Sequence, residues 1–233
     1  MRDRTIDFLK GLAIIGIVMC HASQPTELNG LIKLAFSFGQ WGCQVFFFFS
    51  GYLMYKHYIN EKHITPFSFL VNKIKGVTIP WYLSIFMFII IGFIGANGVD
   101  IYYQTNTSIS SIIINALFLN GIVKFANNNV VPGGWYIGTL AIIWLVFPIY
   151  CRICEKIKNK TKFMSFTVIL CWIIMCCIGV FGGSQIVVRN TFAYFSFVNQ
   201  FQCIVCGMLA IEIKEIRNRD KFISILSLFL NFQ

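Results

Sequence analysis

Residues 76–96 read GVTIPWYLSIFMFIIIGFIGA, and this stretch decides the class of fold. It holds no Asp, Glu, Lys, Arg or His. As an α-helix it would be roughly 31 Å long, which matches the hydrocarbon thickness of a bilayer. In lipid every backbone N–H and C=O must be satisfied from within the protein, and an α-helix does this inside one segment. In a helix starting at Gly76, Pro80 would fall in the first turn, where its missing N–H costs little. The rest of the chain has the same character. Apolar residues make up 57% of 233, charged residues 12%, and mean hydropathy is +0.72. A water-soluble domain carries about 25% charged residues, so this composition cannot cover a water-facing surface. The 25 Phe, 9 Tyr and 5 Trp exclude a disordered chain, and 5 Pro without a period exclude a collagen-like one. The implied class is all-α: a polytopic helical bundle integral to a membrane.

The 19 Lys and Arg against 9 Asp and Glu leave a net charge of +10. In a soluble protein that excess would point toward nucleic acid. Here the basic residues sit in short runs between apolar segments, where the enrichment of Lys and Arg in cytoplasmic loops accounts for them. The expected partner is the lipid bilayer, with no nucleic acid. Most of the nine cysteines lie inside apolar stretches, where Cys acts as a small apolar residue. Cys151/Cys154 and Cys203/Cys206 have a ligand-like spacing, but no His is placed to join either pair, so no metal site is expected.

A window of about 20 apolar residues finds six full spans, near 6–22, 34–55, 76–96, 135–151, 163–181 and 194–211. Residues 111–123 are apolar but short. Another apolar segment opens at Phe222 and is cut off at Gln233, so the chain is read as one domain, 1–233, lacking its C-terminal helices. Loop charges then orient the bundle. Arg2, Arg4 and Lys10 mark the N-terminal end, and Lys56, Lys62, Lys73 and Lys75 fill the second connection. Arg152, Lys156, Lys158, Lys160 and Lys162 follow Cys151, and Lys214, Arg217, Arg219 and Lys221 follow Ile211. These four regions share one side only if 111–123 does not cross. That piece is therefore read as re-entrant or interfacial, and the N-terminus as cytoplasmic.

Ionisable groups inside spans are costly and mark function by default. The first span holds Asp7, Lys10 and His21. Eleven steps of about 100° bring His21 back to nearly the azimuth of Lys10, about 16 Å away along the axis. Asp7 lies three residues before Lys10 and can pair with it. On spacing alone, a snorkelling Lys and a hydrogen-bonded His fit as well as a functional pair does.

The neighbouring residues add a resemblance. Arg4-x-x-Asp7-x-x-Lys10-Gly11-x-Ala13 through His21 resembles the opening of acyltransferase family 3, whose first helix carries a basic residue, ten intervening residues and a His. Residues 39–53, GQWGCQVFFFFSGYL, are similar to its second-helix signature. Lys73-Ile-Lys75 followed by Pro80-Trp81-Tyr82 resembles its basic-x-basic and Pro-x-Tyr stretch, with Lys in both Arg positions. Gly134-Trp135-Tyr136-Ile137 to Pro148 resembles its Trp-containing helix ending in Pro. The four stretches occur in order and cover essentially the whole chain. Two departures are visible: Thr139, Leu140 and Ala141 occupy the region where the family commonly has a Glu, and the family's domain is longer than this chain, which is read as lacking its last third.

These are integral-membrane O-acyltransferases that decorate bacterial surface polysaccharides and related acceptors. The resemblance implies transfer of an acyl group, most often acetyl, from cytoplasmic acyl-CoA (acetyl-CoA) to a carbohydrate hydroxyl, in the bacterial inner membrane. It makes His21 the general base, a role for which imidazole is suited, with Lys10 orienting the site or neutralising developing charge. Lys73 and Lys75 would meet the CoA phosphates as point charges. Asp7 and Trp135 are the candidate substrate-binding residues. His57 and His63 read as solvated, and Ser50 and Gly51 as a site of close helix packing. The competing class is a transporter of a small molecule or lipid-linked sugar, which repeated halves or interrupted helices would mark; no repeat is found. A catalytically silent fragment is the third reading.

Overall fold

A computed structural model describes residues 4–23, 30–60, 65–96, 108–126, 128–181 and 192–216. Among them every regular element is helical. Helix α1 is Arg4–Ser23; α2 (Gly30–Ser37), a 3-10 turn (Phe38–Trp41) and α3 (Gly42–Asn60) follow one another without a break. Then come α4 (Pro66–Ala96), α5 (Ile109–Ala116), α6 (Trp135–Lys156), α7 (Lys160–Phe181), α8 (Phe192–Phe195) and α9 (Phe197–Ile216). Four stretches, Arg4–Ser23, Pro66–Ile94, Trp135–Lys156 and Lys160–Ile178, are long and apolar enough to cross a membrane; Phe197–Ile213 is a shorter apolar helix. Arg2, Lys62, His63, Arg217, Arg219, Lys221 and the segment from Phe222 lie outside the described residues.

Three features differ from the sequence reading. The stretches 34–55 and 194–211, each expected as one span, are divided, the first among α2, the 3-10 turn and α3, the second between α8 and the shorter apolar helix of α9. The helix expected from Gly76 begins ten residues earlier, at Pro66. Thr65 caps it by accepting a hydrogen bond from the Ser68 N–H at 3.1 Å, and Pro66 follows in the first turn, where its missing N–H costs little. Lys73 and Lys75 are therefore helical rather than part of a connecting loop. Pro80 accordingly lies in the helix interior, not in a first turn. Nearby, Thr78 Oγ1 donates to the Ile74 carbonyl at 2.7 Å and Ser84 Oγ to the Pro80 carbonyl at 2.8 Å, back-bonds of the kind Ser and Thr make within helices.

The chain forms two compact units. The first draws on residues 1–60, 159–169 and 201–233. In it, α1 meets the 3-10 turn and α3 at glycines. A Cβ on Gly16 would lie 3.2 Å from Gly39 Cα, and one on Gly42 would lie 2.5 Å from the Ala13 carbonyl oxygen. Helices α3 and α9 close in the same way, with Gly51 against the Ile204 backbone and Gly207 against the Phe48 carbonyl. Small residues at such crossings let membrane helices approach closely.

The second unit draws on 61–158 and 170–200. Residues 111–123 resolve into the last six residues of α5, a linking turn and a short 3-10 turn at Leu119–Gly121. Eight residues of α5 span only about 12 Å, so this piece does not cross as a helix. Its polarity is inverted: Ser111, Asn115 and Asn120 are fully buried, whereas Ile109, Ile113, Leu117 and Ile122 are exposed. Trp81 Nε1 donates to the Asn115 carbonyl at 2.9 Å, and Asn120 Nδ2 donates to the Gly134 carbonyl at 2.7 Å. Gly121 sits against the backbone of Gly138 and Thr139, which ties this segment to the first turns of α6.

Candidate active site

Helix α1 presents the candidate residues in one strip. Lys10, Ile14, Ile17 and His21 follow at spacings of four, three and four, so they run along one side of the helix. The Ile17 side chain lies against Gly42, which sets this strip at the edge of the packed side of α1. Lys10 and Asp7 are half-buried and His21 is exposed, near the end of the helix. Asp7 is the charged neighbour of Lys10. The sequence-derived trio is thus held on one rigid element, with a cation in its second turn and an accessible imidazole in its last.

The other candidates belong to the second unit. Lys73 is half-buried, with its Nζ 5.4 Å from the ring centroid of Phe69, and Phe69 in turn stacks on Phe147 at 5.4 Å. Lys75 is exposed. Two residues apart on a helix, the two lysines leave α4 on sides about 200° apart, so they do not form one clamp. Trp135 is only 6% exposed. It packs on Phe195 at 4.6 Å and edge-on to Tyr194 at 5.7 Å. Its own ring is occupied by aromatic neighbours; Tyr136 and Tyr194, both half-buried, are the rings of this cluster that retain open surface.

The departure at Thr139 has a local explanation. Thr139 is fully buried, and its hydroxyl donates to the Phe195 carbonyl at 2.9 Å. A carboxylate there would face a carbonyl oxygen without a donor, which is costly in a buried site. One pair escaped the sequence reading: Tyr55 on α3 donates its phenol to Glu212 on α9. An acidic residue within an apolar segment was the available signal. Among the described residues no group of three or more His, Cys, Asp or Glu side chains could hold a metal ion.

Membrane-length helices and all-helical packing among the described residues define the class: a helical membrane protein. A family model described as an acyltransferase domain matches residues 3–232, and the chain belongs to that family, acyltransferase family 3. No curated protein and no solved structure matches it.

Proposed function

We propose that this acyltransferase is an O-acyltransferase of the bacterial inner membrane. It would move an acyl group, acetyl in the simplest case, from cytoplasmic acyl-CoA to a carbohydrate hydroxyl. The observation that carries the reading is the Lys10–His21 strip on one side of α1 in a chain whose family is matched over nearly its whole length. His21 takes the proton of the acceptor hydroxyl while that oxygen attacks the thioester carbonyl. The new C–O bond forms, the C–S bond breaks, and CoA leaves as a thiolate that takes up a proton. Lys10 offsets negative charge at the cytoplasmic end of the strip, and Asp7 holds Lys10 in place. Lys73 and Lys75 attract the CoA phosphates separately, from two sides of α4. Trp135 supports Tyr136 and Tyr194 as the acceptor-facing rings. With the N-terminus cytoplasmic, Lys10 lies toward the donor side and His21 roughly 16 Å further along α1.

Mass spectrometry of surface glycans from cells with and without the intact gene tests this reading. Loss of an acyl mass increment is the expected result. Loss of the entire glycan would instead indicate transport.

A further inference from the structure

The helical path into α9 is interrupted at Ser196, between α8 (Phe192–Phe195) and α9 (Phe197–Ile216). Backbone groups at such a break need partners from the protein, because lipid supplies none. Side chains provide them here. Asn199 Nδ2 and Gln200 Nε2 both donate to the Tyr194 carbonyl, at 2.8 and 2.6 Å. Thr139 of α6 donates to the Phe195 carbonyl at 2.9 Å, and Ser196 Oγ accepts from the Asn199 N–H at 3.3 Å. Thr139 is itself fixed, since Gly121 lies directly against its backbone nitrogen. Gln200 is fully buried, and its amide oxygen has no hydrogen-bond partner. Burying an acceptor without a donor is costly, yet the amide keeps its nitrogen on the Tyr194 carbonyl.

These side chains set where the Tyr194 ring stands. Tyr194 and Phe195 both pack on Trp135, at 5.7 and 4.6 Å, and Tyr136 meets Trp135 edge-on at 6.0 Å. Phe195 and Trp135 are buried, whereas Tyr194 and Tyr136 are half-buried. A sugar presents an apolar C–H face and a rim of hydroxyls. A tyrosine matches both, with an apolar ring and a phenol that donates and accepts. A ring already held in place spares the ordering cost of binding. We propose that Thr139, Asn199 and Gln200 are positioning residues for the acceptor, holding the backbone at Tyr194 and Phe195 so that the Tyr194 ring is preset for the carbohydrate. This inference rests on the acyl-transfer reading above, in which Tyr136 and Tyr194 face the acceptor.

The test uses the cells' own surface glycan, stripped of O-acyl groups with mild alkali. Its binding to the purified full chain is measured by calorimetry without donor, and transfer is followed with radiolabelled acetyl-CoA. Thr139→Val removes only the hydroxyl from a similar shape. Gln200→Met removes the donor together with the partnerless oxygen, so its folding is not placed at risk by a new buried orphan. Each should weaken glycan binding roughly tenfold, about the worth of one buried hydrogen bond, with the KM for acetyl-CoA unchanged. Thr139→Ser, which keeps a hydroxyl donor, should recover the lost binding. Unchanged glycan binding in both variants would overturn the positioning role, as would equal losses of glycan binding and acetyl-CoA use, or a Thr139→Ser protein no better than Thr139→Val. Failure of wild type to bind the glycan would overturn it as well. Weakened binding in the variants without label transfer by wild type would support the positioning role and count against the reaction alone.

Discussion

Gly51 of α3 and Ile204 of α9 meet backbone to backbone, so that a methyl group on Gly51 would overlap the Ile204 carbonyl. The Ser-Gly pair in the second apolar stretch is thereby a packing element. Gly51→Ala should destabilise the bundle by about 1–3 kcal/mol, the usual cost of overpacking. Gly11→Ala has open space around the added methyl and should match or exceed wild-type stability, since Ala favours helix by about 1 kcal/mol. Thermal unfolding in detergent measures both. Equal melting of Gly51→Ala and wild type would mean the helices can separate at no cost.

The Tyr55–Glu212 hydrogen bond joins the same two helices. Tyr55 is 2% exposed, so Tyr55→Phe removes a donor in a mostly dry place. A loss of about 1–3 kcal/mol is expected. Unchanged unfolding would show that another donor replaces the phenol.

The proposed membrane orientation rests on the distribution of lysines and arginines. Cysteines introduced at Arg2 and at Lys158 should resist an impermeant thiol reagent added to intact cells and react once the membrane is opened. Rapid labelling of either from outside would reverse the assigned sides and place CoA binding at the wrong surface.

Donor binding is tested at α4. Replacing both Lys73 and Lys75 with Ala should raise the KM for acyl-CoA roughly tenfold with little change in the KM for acceptor, because two partly exposed charge contacts are lost. Arg at both positions should be tolerated, since charge and donors remain. Wild-type dependence of the double Ala variant on acyl-CoA concentration would leave these lysines a role in topology alone.

How far the fold was legible depended on which interactions repeat along the chain. Apolar length gave the helical class and the spans at 135–151 and 163–181, because the bilayer imposes that length on sequence. The start of α4 was missed because Thr65 and Pro66, the local cap signals, were outweighed by the lysines at 73 and 75. On the site, the shared azimuth of Lys10 and His21 was readable from helical geometry alone. The Tyr55–Glu212 pair was not, since it joins residues 157 apart in the chain through packing that no local pattern encodes. The burial of Trp135 among Phe195 and Tyr194 was hidden for the same reason.

The most direct measurement is acyl transfer by a well-expressed His21→Gln protein. Gln keeps polarity and hydrogen bonding but cannot take up the acceptor's proton, and a general base contributes typically 10²–10⁴-fold to rate. The variant should insert and accumulate like wild type yet lose transfer by that factor, with Lys10→Arg active and Lys10→Ala largely inactive beside it. Transfer by His21→Gln at near wild-type rate would contradict the assignment and leave His21 a structural hydrogen-bonding residue.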